Sequence, residues 1–233
     1  MALVRVDNLA GVPLFYDRFK SGSYGVEAVS MKPFIDDKFH ALCETAFANI
    51  QSVFSKSGYE ITQIWSGGVG RSGTGKSFHH TNRAFDLDAL VFDNKPMWVA
   101  ITFPQRPFLY LAIEACLRLE FGTVLNYDYN SAHEDHFHFD NGTSPGFKRH
   151  AKSHVLFLQH CLQKLFNQSV GSSGVDGVMG GDTDAALRQA LKELGIGGLS
   201  DKQNWKQFLQ VCAETALDFE NSLVSAPGTS SLP

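Results

Sequence analysis

The stretch that most restricts the fold is His133-Glu134-Asp135-His136-Phe137-His138-Phe139-Asp140. Asp135, Phe137 and Phe139 alternate with His136, His138 and Asp140. On an extended strand that alternation turns His136, His138 and Asp140 to one face and the phenylalanines to the other. An earlier stretch, Ser77-Phe78-His79-His80-Thr81-Asn82-Arg83-Ala84-Phe85-Asp86-Leu87-Asp88, puts Ala84, Asp86 and Asp88 on a common face in the same way. Five of the nine histidines of the chain fall in these two windows. Imidazole and carboxylate are both ligands for Zn²⁺. Clustered histidines can also be no more than a polar sheet face. The sharper expectation is that two strands turn polar faces to each other, with His79 on the loop leading in. That would build a three-ligand site with one open position, as in catalytic zinc.

Ser77-x-His79-x-x-Asn82-x-Ala84-x-Asp86 resembles the S-x-H-x-x-G-x-A-x-D motif of the zinc D-Ala-D-Ala carboxypeptidase/endopeptidase family. That family shares its fold with lysostaphin-type peptidases and the hedgehog signalling domain. Asp135-His136-Phe137-His138 is similar to its second motif, and Phe121-Gly122-Thr123-Val124-Leu125 followed by His133 and Asp135 to Asp140 resembles the extensin-like carboxypeptidase-related group within it. The resemblance covers roughly residues 35 to 140. It implies zinc, one ion per chain, on His79, Asp86 and His138. It implies Asp135 as general base, His136 as transition-state stabiliser or proton carrier, and Arg71 as the arginine that meets a substrate carboxylate or carbonyl. Ser77 is implied as a hydrogen-bond partner of the loop or the substrate. Two positions depart from the pattern. Asn82 stands where the motif has glycine, and asparagine is the next most tolerant residue of positive φ. Asp135 stands where the family has glutamate and is one methylene shorter, which leaves Glu134 and His133 as further candidates for the base.

One other motif competes. Gly70-x-x-x-x-Gly75-Lys76-Ser77 satisfies the P-loop pattern, and Ala89 to Asp93 imitates a Walker-B strand. A P-loop must open a helix whose amides hold the phosphates. Here the strand pattern resumes at Ala84, without room for the roughly dozen residues of a crossover. A flexible loop carrying Arg71 and Lys76 at the rim of the metal site is the preferred reading.

The rest of the chain reads as helices and short strands. Phe39, Leu42, Cys43, Ala46, Phe47 and Ile50 recur at helical period within 36–57, with Gly58 as a stop. Ile61 to Trp65 and Phe121 to Leu125 read as strands, and 105–119 as a helix started by Pro104 and Pro107. Tyr127, in the polar loop 126–130, reads either as an ordinary surface aromatic or as part of a substrate cleft. After residue 147 helical periodicity takes over, with helices around 155–166, 185–194 and 205–216; Asp182 or Thr183 is expected to cap the second. Val175-Asp176-Gly177-Val178-Met179-Gly180-x-x-Thr183-x-x-Ala186-Leu187 resembles the signature of the three-helix peptidoglycan-binding module. The bland alternative is a generic helical cap.

A net charge of −4 argues against a nucleic-acid binder, and no apolar run is long enough for a membrane span. The N-terminus does not read as a signal peptide. Cys43, Cys116, Cys161 and Cys212 form no C-x-x-C pair and read either as buried thiols or as disulfides Cys43–Cys116 and Cys161–Cys212. The expectation is therefore an α+β protein: a hedgehog/DD-peptidase-like zinc domain over 1–147, with a small antiparallel sheet and an N-terminal arm at 1–30, then an all-α three-helix domain over 148–224 and a tail at 225–233. The expected function is a peptidoglycan peptidase, carboxypeptidase or endopeptidase, of the kind released as a phage endolysin or secreted as an antibacterial effector. It would be made in the cytoplasm and act in the periplasm or cell wall, with peptidoglycan and an immunity protein or delivery machinery as partners. The competing classes are a non-catalytic metal-containing wall binder and a P-loop nucleotidase.

Overall fold

The computed structural model describes residues 2–16, 18, 29–93, 95–98, 103 and 105–224. Along it run β1 (Leu3–Arg5), β2 (Asn8–Leu9), β3 (Val12–Tyr16), β4 (Val29–Ser30), β5 (Phe34–Asp36), α1 (Asp37–Lys56), β6 (Ile61–Gly68), β7 (Ala84–Phe92) and β8 (Lys95–Trp98). Then follow α2 (Pro107–Glu120), β9 (Thr123–Leu125), β10 (Phe137–Asp140), α3 (Lys152–Lys164), α4 (Gly181–Leu194) and α5 (Lys202–Val224). The class is α+β. The main sheet has the order β2-β3-β6-β7-β10-β9, with β4 beside β3 and β8 beside β7; β1 and β5 form a separate two-stranded sheet. Its pairs are antiparallel apart from β3 with β6, which run parallel. Parallel neighbours need a crossover, and the helix α1 lies between them in the chain. The N-terminal stretch, read as an arm or a strand, is built into the structure: Leu9, Val12 and Leu14 are buried.

The apolar period of α1 is what lays it on the sheet. Asp36 caps it by accepting from Phe39 N at 3.1 Å, and Phe39, Cys43, Ala46, Phe47, Ile50 and Phe54 are buried along one stripe. Phe47 packs on Phe85 and Phe139, and those two rings stack with centroids 5.2 Å apart. Phe85 and Phe139 alternate with Asp86 and His138 on β7 and β10, so the same pleat that fills the core turns the polar residues to the opposite face.

Helix α2 starts at Pro107, as a first-turn proline allows; Pro104 lies outside the described residues. Its residues Leu109 to Arg118 are all buried. A helix buried all round needs partners on every side. One is α5, through Phe108 stacked on Phe219 at 5.2 Å and Arg106 bonded to Glu220 at 2.7 Å. Another is α3, whose Ser153 carbonyl accepts from Arg118 at 2.7 Å. The buried apolar residues of α3, α4 and α5 form one continuous cluster with those of the sheet and α1. The first residue of α4 is Gly181 and its N-cap is Gly180, with no side-chain cap bond. Asp182 and Thr183 therefore sit inside the helix rather than capping it, and the Thr183 hydroxyl accepts from Gln159 at 3.1 Å instead. The four cysteines are buried free thiols. The tail 225–233 lies outside the described residues. No described helix is long and apolar enough to cross a membrane.

Candidate metal centre

The register of β7 against β10 pairs Asp86 directly with His138. His79 reaches the same point from a turn of 3-10 helix, Phe78–Thr81, that precedes β7. Ser77 opens this turn, its hydroxyl accepting from His79 N at 3.4 Å, and Arg71 N donates to His79 O at 3.0 Å. Asn82 closes it in the left-handed region at φ +57°, the conformation expected at the motif's glycine position. Its Nδ2 donates to Phe34 O at 2.6 Å and its carbonyl accepts from Asp36 N at 3.0 Å, tying the turn to the start of α1.

The three side chains point inward. His79 Nε2 lies 3.1 Å from Asp86 Oδ1 and 3.2 Å from His138 Nδ1, and His138 Nδ1 lies 3.0 Å from Asp86 Oδ1. The outer nitrogens are already committed. His79 Nδ1 donates to Val69 O at 2.8 Å, and His138 Nε2 donates to Asp140 Oδ2 at 3.3 Å. A carbonyl oxygen can only accept, so the His79 proton sits outside and Nε2 presents a lone pair. Three acceptor atoms thus converge, with at most the one proton that His138 brings between them. Burial works against a charged His138, but hydrogen bonds to Asp140 and Asp86 outweigh it and raise the imidazole to about 9. Burial likewise works against the Asp86 carboxylate, and the hydrogen bond from His138 together with the neighbouring imidazoles of His79 and His136 overcomes it and holds the group far below the usual carboxylate range. Among the described residues, His79, Asp86 and His138 are the group whose ligand atoms could all reach one metal ion. Two imidazoles, each held at its outer nitrogen, and one carboxylate are a donor set suited to zinc, and the outer acceptors are the supporting shell such ligands need.

Two more imidazoles stand beside the three ligand atoms. His136, buried, places Nε2 3.4 Å from Asp86 Oδ1 while Nδ1 donates to Asp135 Oδ1 at 2.5 Å. His133 lies with its ring 5.2 Å from that of His136 and 5.8 Å from that of His138, and its Nδ1 donates to Asn130 Oδ1 at 2.6 Å. Partial burial, then the neighbouring His136 and His138, lower His133 to about 4, so it is neutral at physiological pH. Glu134 is exposed. The Arg71 side chain is exposed on the glycine-rich loop, and Tyr127 packs its ring on Phe103 at 5.3 Å; neither touches the three ligand atoms among the described residues. The residues after Lys76 form the short 3-10 turn and then β7, so no helix follows the P-loop-like run. Arg18, which no local sequence pattern marks, bonds Asp88 and approaches Asp135. Burial of Asp88 outweighs that ion pair and raises its carboxyl to about 6.

The model of the extensin-like protein C-terminus matches residues 27–150, which contain every side chain of this cluster but Arg18. The chain belongs to that family. No curated protein and no solved structure matches it significantly. The extensin-like segment spans β4 to β10 and stops short of α3, so the ligand set and its outer acceptors lie wholly within it.

Proposed function

We propose that this chain is a zinc-dependent peptidase that cleaves peptidoglycan stem peptides or their cross-links. The observation that carries the reading is the convergence of three possible ligand atoms, His79 Nε2, Asp86 Oδ1 and His138 Nδ1, within 3.0–3.2 Å of one another. These residues would hold the ion. Zinc when bound supplies a Lewis acid and lowers the pKa of a coordinated water toward about 7. The protein's part is to move protons and orient the peptide. His136 faces the ligand group with Nε2, oriented from behind by Asp135, which is the geometry of an imidazole that accepts a proton and returns it to a leaving amine. Asp135 serves here through His136. His133 Nε2, on a ring kept neutral, is the second group able to accept a proton at this rim. Arg71, exposed beside the His79 turn, is suited to meet an anionic peptide carboxylate, with Ser77 holding the turn beneath it.

The three-helix segment supports the same substrate. Asp176 Oδ1 accepts from Val178 N at 2.8 Å and from Gln159 Nε2 at 2.8 Å, and Gly177 at φ +76° closes the loop over α3. This is a compact version of the loop its motif resembles, and we assign it to wall binding. Such a protein would act in the periplasm or cell wall.

The test pairs metal analysis of the purified chain with mass spectrometry of peptidoglycan digested by it. About one zinc per chain with shortened or uncrosslinked stem peptides is the expected result, and the fragments name the scissile bond. Zinc with no new fragment would leave a metal-containing wall binder. Fragments released equally well by metal-stripped protein would overturn the zinc mechanism.

A further inference from the structure

We propose that Arg18 is a positioning residue of this site: anchored on buried Asp88, its guanidinium holds the Asp135 carboxylate on the outer nitrogen of His136. The inference rests on the metallopeptidase reading above. Arg18 grips Asp88 with two bonds, Nε to Oδ2 at 2.9 Å and Nη2 to Oδ1 at 2.6 Å. The same Nη2 stands 3.8 Å from Asp135 Oδ1. That oxygen takes the Nδ1 proton of His136 at 2.5 Å, and the far side of the ring stands 3.4 Å from Asp86 Oδ1. A guanidinium, a carboxylate and an imidazole therefore connect the interior of the sheet to a candidate metal ligand.

Stability alone does not account for this arrangement. Asp88 is fully buried, and a buried ion pair is often no better than an apolar pair of the same volume. Yet the chain makes room for it. Gly67 on β6 sits where any Cβ would collide with the Arg18 guanidinium. Three remote parts of the sequence, the N-terminal segment, β6 and β7, thus converge on one guanidinium. Its planar fork can grip one carboxylate on two oxygens and still face a second, which the point charge of a lysine cannot do. Asp135 offers that second carboxylate: its side chain, 41% exposed just before β10, lies within reach of both the guanidinium and His136.

The double variant Arg18→Met/Asp88→Leu removes both charges while keeping apolar bulk, so folding is not at stake in the way it is for either single change. In full-length, zinc-loaded protein we expect metal content to stay at about one ion per chain. We expect kcat to fall on the order of 10–100-fold with KM little changed. A second readout does not depend on turnover. In ¹⁵N-histidine-labelled protein the Nδ1 proton of His136, assigned by its loss in His136→Gln, should be visible in the wild type and lost in the double variant. Gly67→Ala, which alters no functional group, should weaken that signal and turnover in the same direction. Persistence of the proton signal in both variants overturns the proposal, as does wild-type kcat in the metal-loaded double variant. A raised KM with kcat retained also overturns it, making Arg18 a substrate anchor instead. If the wild type itself cleaves nothing, the peptidase reading falls, and the His136 proton decides the role of Arg18 alone.

Discussion

Each imidazole at the site is oriented by what its outer nitrogen meets. Val69 O does this for His79, Asp140 for His138, Asp135 for His136 and Asn130 for His133. Removing a ligand and removing its orienting partner should therefore differ in kind. His79→Ala should abolish zinc binding and turnover together, read by metal analysis and peptide release. Asp140→Asn keeps the ligand set but weakens the acceptor behind His138, and should reduce zinc affinity by about 10–100-fold in chelator competition. Asp135→Asn should leave zinc in place and lower kcat; unchanged kcat would move the proton-accepting role to His133. The ligand residues were legible because alternation on a strand is a local code: Asp86 and His138 each lie one step from a core phenylalanine. Arg18 was not legible. Its anchor Asp88 stands 70 residues away and Asp135 lies farther still, both brought near by sheet pairing that no local spacing encodes.

At the scale of elements, the site depends on two strands held in register and one turn that feeds them. Asn82 is the hinge of that turn, and it contributes in two separable ways. It occupies the left-handed region at φ +57°, and its Nδ2 bonds Phe34 O. Asn82→Gly loses the bond alone, at a cost of about 1 kcal/mol. Asn82→Ala loses the bond and adds left-handed strain of about 1 kcal/mol more. Denaturant unfolding should rank wild type above Asn82→Gly and Asn82→Ala last, and the alanine variant should also bind zinc more weakly because His79 rides on the turn. Helices α1 and α2 were readable from their 3.6-residue period and β10 from its period of two. The neighbours of β3 were not: a strand of five residues between glycine-rich segments says nothing about whether it pairs parallel or antiparallel. That choice is made by α1, which carries the chain across before β6 and so sets β3 and β6 running the same way.

At the scale of the molecule, the C-terminal helices share the core of the extensin-like segment. The ten consecutive residues Leu109–Arg118 of α2 are all buried, with α3 and α5 among their partners. The sequence boundary near residue 147 follows a change of periodicity, and periodicity reports which face of a helix is apolar, not which neighbour covers it. A chain ended at Phe147 should therefore fail to unfold cooperatively, whereas the full chain should show a single transition by calorimetry. His154 joins the two parts. Its Nε2 donates to Gly122 O at 2.8 Å, its Nδ1 accepts from Lys148 N at 3.4 Å, and its ring stacks on Trp205. Both polar contacts call for the neutral ring. Burial, and then the nearby Arg118 charge, lower its pKa to about 3, against 6.5 for an ordinary histidine. Between those values the unfolded chain takes up a proton that the folded chain refuses. The stabilisation is complete above pH 6.5 and is lost as pH falls toward 3, by on the order of 4 kcal/mol over the whole window. Asp88, raised to about 6, acts in the opposite sense over part of that range and His133, lowered to about 4, in the same sense, so the wild-type curve alone mixes several groups. The difference between wild type and His154→Gln isolates the histidine. Denaturant unfolding at stepped pH should show the stability advantage of the wild type shrinking steadily from pH 6.5 to pH 4, and a difference independent of pH would mean that His154 is not held neutral between the two parts of the chain.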